Sequence, residues 1–423
     1  MPKLNLQQQN YDNASLGNIT GEDISRKLSQ SQTPLRAVQT KNPYISPKQV
    51  SKRWGVLDNE TAKNELLDSK TVDEMDCYKK NIENFIGTVK MPVGLVGPMR
   101  VNGLYANDDF YLPLATTEAA LVASYNRGAQ LISESGGVSA MLLSEAVIRT
   151  PGFCFDTLAE AGQFVAWVVT KYERFKDIAH QTTRHGKLVD VSVNIEANNV
   201  YLIFEYTTGD ASGQNMVTIA TNEVYNYILS HSPITPKYAY VEANLSGDKK
   251  ATAQSLRNVR GKKVSAEVII PAELVKKRLH TSVDSMVNYC KLSATGGVLS
   301  GSIGVHGHYA NGLAALYIAC GQDAACVAES AVGITRLEKT QSGDLYASVT
   351  LPNLMIGTVG GGTGLPSQQA CLQIVGLAGE GNAKAMAEVT AGLCLAGELS
   401  IIGALSAGHF SRAHHKLARN ASK

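Results

Sequence analysis

The run LVDVSVNIEANNVYLIFEY, residues 188–206, decides the fold class. Apolar side chains alternate with polar ones through Leu188–Ile195 and again through Val200–Tyr206, the period of strands with one buried face. Ala197-Asn-Asn199 between them offers residues that tolerate a turn, so the run reads as two strands joined in a hairpin. On either side the period lengthens. Leu158–Arg174 reads as one helix before the hairpin, and Asn215–Leu229 as a second helix after it. Strands flanked by helices close as a small sheet with helices on one face. The expectation is an α+β chain in which this block, from about Arg149 to Ala243, is an inserted domain.

Upstream, Met91-Pro-Val-Gly-Leu-Val-Gly-Pro98 suits a tight loop beside a core strand. Thr116–Ile132 reads as a helix, with Leu121, Val122, Tyr125, Ala129 and Ile132 on one face and Thr117 as its N-cap. Residues 1 to about 75 are polar, with weak periodicity near Ile45–Trp54 and Ala62–Leu67, the pattern of an arm ending in a small helical domain. Downstream, Asn311–Cys320, Gln368–Gly376 and Ala383–Leu405 read as helices rich in Ala and Gly, which lets neighbours approach closely in a large core. Ala391–Phe410 is the most membrane-like stretch, but Glu398 interrupts it, and a buried helix is the better reading. Met1–Asn13 has no apolar segment of the secretory kind.

The 423 residues carry a formal net charge of +2, which supplies no long-range field of either sign. No basic patch interleaved with aromatics appears, so no nucleic-acid partner is expected. The seven cysteines are scattered and never form a CxxC pair, an arrangement of neither a disulfide framework nor a zinc site. A reducing cytoplasm is the expected compartment, with no membrane partner. No HExxH or facial-triad spacing occurs, and no metal is expected.

Four residues are candidates for chemistry, each with a plainer reading beside it. Glu118, near the start of the Thr116 helix, is either a first-turn carboxylate favoured by the helix dipole or a general acid. Asp323 follows an apolar helix at Gly321, either in a polar terminal turn or as a second carboxylate that raises the first. Lys249, in the turn-rich Asn244-Leu-Ser-Gly-Asp-Lys-Lys250, is either a solvated charge or the stabiliser of a developing oxyanion. His414 lies in a tandem-histidine tail, solvated or catalytic. Gly357-Thr-Val-Gly-Gly-Gly-Thr-Gly364 lacks GxGxxG spacing, and no acidic residue follows about 20 positions later with a strand before it, which argues against a Rossmann fold, yet it lets backbone amides approach a ligand. Basic residues at Arg149, Arg184–Lys187, Arg260–Lys263 and Lys291 together suit ligands with several anionic groups.

These segments and their order resemble the 3-hydroxy-3-methylglutaryl-coenzyme A (HMG-CoA) reductases from about Glu83 to the C-terminus. The matching stretches are Glu83–Gly87, Pro92–Pro98, Thr116–Glu118, Asp248–Lys250, Gly321–Asp323, Gly357–Thr363, Leu365–Gln373 and Ala407–His409. The resemblance is closer to class I enzymes, the NADPH users. It implies that Glu118, Lys249, Asp323 and His414 are catalytic, with Asp323 hydrogen-bonded to both Glu118 and the lysine. It implies that Arg149 and Lys291 hold the substrate carboxylate. Asp210, Gly213, Asn215 and Met216 resemble the cofactor motif, and Thr183 and Arg184 the grip on the NADP 2′-phosphate. Ser212 and Gln214 stand where that motif usually has methionines, His185 where Phe is common, and Asn420 where animal forms have the phosphorylated serine.

The resemblance further implies a large domain around a long central helix, an inserted ferredoxin-like cofactor-binding domain and a small N-terminal helical domain. The boundaries expected are 1–80, 81–149, 150–243 and 244–423. It implies a homodimer or dimer of dimers with active sites at the interface, and NADPH-dependent reduction of (S)-HMG-CoA to (R)-mevalonate. Two alternatives stand beside it: NAD-dependent mevalonate oxidation, against which Arg184 speaks, and a CoA-thioester hydrolase or lyase. The last needs a nucleophile. No GxSxG elbow appears, which leaves Cys320, near Asp323, as its candidate.

Overall fold

The computed structural model describes residues 21–29, 42–183, 185–257 and 260–408. Two compact units emerge. One runs up to residue 76 and includes 83–88, and the other comprises 77–82 and everything from 89.

The first unit holds helices α1 (Pro47–Leu57) and α2 (Glu60–Leu66). Ser46 and Asn59 cap them by accepting the N–H groups of Gln49 and Ala62. The segment 83–88 packs with these helices because α1 takes up its carbonyls. Arg53, 2% exposed, donates to Phe85 O at 3.1 Å, and Trp54 Nε1 donates to Ile86 O at 2.9 Å. Each bond satisfies a backbone acceptor that burial removes from water.

In the second unit, the described strands join one ten-stranded sheet. They are β1 (Val93–Gly103), β2 (Asn107–Ala115), β3 (Val138–Arg149), β4 (Gly152–Cys154), β5 (Lys187–Glu196), β6 (Asn199–Thr207), β7 (Tyr238–Tyr240), β8 (Arg260–Ile270), β9 (Ile334–Lys339) and β10 (Leu345–Leu354). The opening run forms the antiparallel β5–β6 hairpin, closed by Glu196 opposite Asn199 with Ala197 in the left-handed region at φ 49°. The other edge of β6 pairs with β4 and then with the end of β3. From β3 the sheet continues through β8 and β10 to β9, while β1 runs parallel to β3 and antiparallel to β2. β3 is thus shared between the 150–243 block and the remainder, and no sheet edge separates them.

Within that block, Val200, Leu202, Phe204 and Tyr206 of β6 are all buried. They face α3 (Leu158–Val168), α4 (Tyr172–Thr182) and α5 (Gln214–His231) through a cluster of Phe153, Phe155, Phe164 and Phe175. The single helix expected over Leu158–Arg174 is two. A 3₁₀ turn at Val169–Lys171 separates them, and a capping box of Thr157 with Glu160 starts the first.

α6 (Ala383–Ser406) is buried along almost its whole length, although its length and composition would suit a membrane span. Two carboxylates ride inside it because each meets backbone N–H groups. Glu388 accepts from Tyr105, Ala106 and Leu142, and Glu398 from Gly307 and His308. The central helix therefore ties together the β1–β2 turn, β3 and the loop before the Tyr309–Ala319 helix.

Candidate active site

The loop from Ala243 to Thr252 carries Lys249 at φ 56°, in the left-handed region. Its Nζ lies 2.9 Å from Asp323 Oδ2, with both side chains about two-fifths exposed. Asp323 is held from below, since its Oδ1 accepts the Ala325 N–H at 3.0 Å at the start of a 3₁₀ turn. The hydrogen bond to Asp323 raises the Lys249 ammonium above its ordinary value. Burial pushes the Asp323 carboxyl up, but the hydrogen bonds from Lys249 and Ala325 prevail and hold it below the usual carboxylate range. The pair is a fixed ammonium beside a fixed carboxylate.

This pair opens onto a cleft of about 540 Å³ lined by Gly213, Gln214, Asn215, Met216, Gln322 and the loop Gly360–Thr363. α5 begins at the cleft. Gly213 precedes it at φ 73°, where an added Cβ would lie 2.3 Å from Thr208 Cγ2, so glycine is required on both counts. No side chain caps this helix, which leaves first-turn N–H groups for a polar or anionic ligand. The glycine loop is fastened behind. Gln322, 9% exposed, bonds through both ends of its amide to Gly357, and Asn81 Nδ2 donates to Gly361 O at 2.7 Å. Gly360 and Gly361 themselves face open space. Thr183 reaches this region by donating to Met216 Sδ at 2.9 Å.

Other candidates are placed differently. Asp210 does not face the cleft as a ligand group, because its carboxylate accepts the Gly381 and Ala383 N–H groups and so fastens the start of α6. Arg149 is buried, with its guanidinium 2.8 Å from both Asp248 Oδ2 and Thr218 Oγ1. Lys291 is exposed on the helix Val283–Ser300. Arg184 and His414 lie outside the described residues.

Glu118 is exposed and lines a second cavity of about 450 Å³, with Arg127, His308 and Asn311. Within one chain its carboxylate is not in the cleft of Asp323. It also sits ahead of the helix, not inside its first turn. The Thr116 hydroxyl accepts the Glu118 N–H at 3.0 Å, Ala120 turns left-handed at φ 72°, and the helix starts only at Leu121 with no side-chain cap. Thr117 therefore caps nothing. Cys320 is fully buried, and burial pushes its thiol far up, so it cannot serve as the nucleophile of a hydrolase. Among the described residues no cluster of three or more His, Cys, Asp or Glu is placed to hold a metal.

Three residues escaped the sequence reading. His308 Nε2 sits 3.0 Å from the Gly397 carbonyl and must donate to it, which leaves Nδ1 to accept from Asn311 at 3.3 Å. Arg260, 0% exposed, lies 2.6 Å from Glu329 and 2.9 Å from Asp248, beside Lys249. Its approach to Asp248 is out of line for a hydrogen bond and acts through charge. Only the basic run Arg260–Lys263 hinted at this role.

A sequence profile of the hydroxymethylglutaryl-coenzyme A reductases matches residues 49–419. A 3-hydroxy-3-methylglutaryl-coenzyme A reductase of Pyrococcus horikoshii is 41% identical over 418 residues, which cover 95% of this chain and 99% of that one. The protein of that name from Methanocaldococcus jannaschii is 40% identical over 394 residues, covering 89% and 97%. Among solved structures, the class II enzyme of Streptococcus pneumoniae, described as bound to NADPH in open conformations, superposes with a TM-score of 0.64 at 18% identity, over 85% of this chain and 100% of that one.

Proposed function

The chain belongs to the hydroxymethylglutaryl-coenzyme A reductase family, and from that premise we propose how its residues divide the NADPH-dependent reduction of (S)-HMG-CoA to (R)-mevalonate and CoA. The reaction is the committing step of the mevalonate pathway. One observation carries the proposal: the Lys249–Asp323 ion pair, 2.9 Å across, stands in a cleft walled by glycine backbone and by an uncapped helix start.

The cleft fits a dinucleotide. Gly213 leads into the first-turn amides of Asn215 and Met216, Gly360 and Gly361 allow backbone approach, and Thr183 bonds to Met216 beside them. The 2′-phosphate is assigned to Thr183 and Arg184 by their likeness to the family's motif. NADPH, when bound, supplies hydride, and taking a thioester to an alcohol consumes two. A class II relative is itself described with NADPH, so class membership does not choose the nicotinamide, and Arg184 is the residue that speaks for NADPH here. Lys249 stabilises the negative charge that gathers on the thioester oxygen, and Asp323 keeps it protonated and aimed. His414 protonates the departing thiolate as the hemithioacetal collapses to mevaldehyde. Glu118 then donates a proton to the aldehyde oxygen. Lys291 and Arg149 hold the substrate carboxylate, which for Arg149 requires that it exchange its bond to Asp248.

The 150–243 block serves as the cofactor domain. Its strand order β5-β6-β4-β7, with helices after β4 and after β6, supports a ferredoxin-like reading, with the end of β3 continuing into β4. In sequence it is inserted between the two parts of the large domain around α6. The placement of Glu118 and Lys249 in separate cavities of one chain supports a homodimer whose active sites combine residues of two copies. The deciding experiment follows NADPH oxidation on addition of HMG-CoA and identifies the product. Mevalonate, formed with two NADPH consumed, is expected. Release of CoA without NADPH oxidation would overturn the reading.

A further inference from the structure

Beneath the cofactor cleft lies a charge that the reaction does not use. Lys262, on β8, is 3% exposed, and its Nζ sits between two carbonyls of different loops, Ile356 O at 3.4 Å and Gly209 O at 3.5 Å. Gly209 opens the loop that leads into α5 at Gln214, and Ile356 opens the glycine loop that ends at Gly364. These are the two walls of the cleft. Glu145, opposite Lys262 on β3, contributes a carboxylate oxygen at 3.8 Å. Lys262 and Ser212 also border one small cavity of about 10 Å³.

The local sequence explains the placement. Gly261, at φ 79°, lets β8 pass where an added Cβ would lie 2.3 Å from Leu354 O. That close approach pairs Lys262 with Leu354 at the end of β10, two residues before the carbonyl it holds. The two loops also meet above it, through the Thr358 N–H donated to Asp210 O at 2.8 Å. We infer that Lys262 is a positioning residue for NADPH, whose ammonium ties the two loops together and sets the width of the cleft. The inference rests on reading the cleft as the NADPH site.

All three contacts are longer than an ordinary hydrogen bond, so the tie depends on charge more than on geometry. Burial lowers the Lys262 pKa. Glu145 and Asp210 oppose that effect, and Lys384 at the start of α6 adds to it. These are the charged groups that face it from β3, the loop and the helix. The ammonium is therefore lost at lower pH than that of an ordinary lysine, whereas Lys249 keeps its proton beyond the ordinary value.

The test is direct NADPH binding, read by fluorescence without substrate from neutral pH into the alkaline range, for the unaltered protein, Lys262→Met and Lys262→Arg. Lys262→Met should weaken binding about tenfold or more at neutral pH, the scale of losing a charged donor. The unaltered protein should lose affinity as pH rises through the lowered lysine pKa. Lys262→Arg should bind at neutral pH and hold its affinity over that range, since a guanidinium stays charged. Circular dichroism of each variant without cofactor reports folding, and Lys262→Arg keeps the test open if Lys262→Met does not fold. Unchanged binding by folded Lys262→Met, or the same alkaline loss in Lys262→Arg, overturns the inference. An unaltered protein that binds no NADPH at any pH removes the site reading itself and the inference with it.

Discussion

Lys249 and Asp323 hold each other in opposite senses, and that reciprocity has a measurable consequence. In Asp323→Asn the amide still reaches Lys249 but brings no charge, so the lysine pKa falls back toward its ordinary value. The alkaline limb of the kcat/KM profile should move to lower pH. On the acid side, Asp323 is held below the carboxylate range, so the pair persists as pH falls and breaks only through that lowered value. An alkaline limb that stays in place in Asp323→Asn would show that the aspartate does not keep the lysine charged. The proposed role of His414 is separable, because only the first reduction releases a thiolate. His414→Gln should slow HMG-CoA turnover by roughly 10²–10⁴-fold, the range of general-acid catalysis, while sparing mevaldehyde reduction. Equal losses on both substrates would make His414 a binding or structural residue, and His415→Gln is the control. Read alone, Lys249 looked like a solvated charge and Asp323 like a polar turn. Each reading is locally correct, since both side chains are partly exposed. They meet through a pairing distant in sequence, which no local pattern records.

At the scale of the element, α6 organises the interior through its carboxylates. Glu398, 1% exposed, accepts from the Gly307 N–H at 2.7 Å, the His308 N–H at 2.8 Å and the Thr335 hydroxyl at 2.8 Å. Glu398→Ala leaves three donors without an acceptor, the buried Thr335 hydroxyl and the part-buried Gly307 and His308 N–H groups, and should cost about 1–3 kcal/mol of stability. Glu398→Gln keeps the shape and one acceptor, and should cost about half of that. Urea unfolding of both variants measures the difference, and a loss within error for Glu398→Ala would mean that the 307–308 loop is held by other contacts. Glu398 had served only to argue against a membrane span, because burial of its neighbours was legible from composition while its backbone partners were not. The hairpin Lys187–Thr207 was legible for the opposite reason: its period, turn and register are all local. The start of the Leu121 helix was not. The apolar face begins at Leu121, and only Thr117 as a cap carries the helix back to Thr116, but the Thr116 hydroxyl competes for the Glu118 N–H and delays the helix. The break at Val169–Lys171 was missed because a 3₁₀ turn preserves apolar spacing well enough to pass for continuous helix.

Across the whole molecule, Glu118 is separated from the ion pair it is proposed to serve. It lines one cavity with Arg127, His308 and Asn311, and Lys249 and Asp323 line another. A proton donor must reach the reacting oxygen within hydrogen-bond distance, so a catalytic Glu118 requires its cavity to meet a Lys249 cleft. In a two-fold symmetric dimer the same contact occurs twice, giving two sites that each take Glu118 from one copy and Lys249 from the other. That arrangement makes a numerical prediction. Lys249→Ala and Glu118→Gln chains should each be inactive alone. In a hybrid dimer one site has both residues intact and the other has neither. If chains exchange freely and equally, half of the dimers are hybrids, and about one quarter of the full complement of sites is restored. Activity should therefore appear on mixing, rise as subunits exchange, and level off near that fraction. No recovery, despite exchange demonstrated with differently tagged chains, would place both residues in the same copy. It would then require a rearrangement within the chain to bring Glu118 to Lys249. A fully active monomer in sedimentation would exclude the shared site outright.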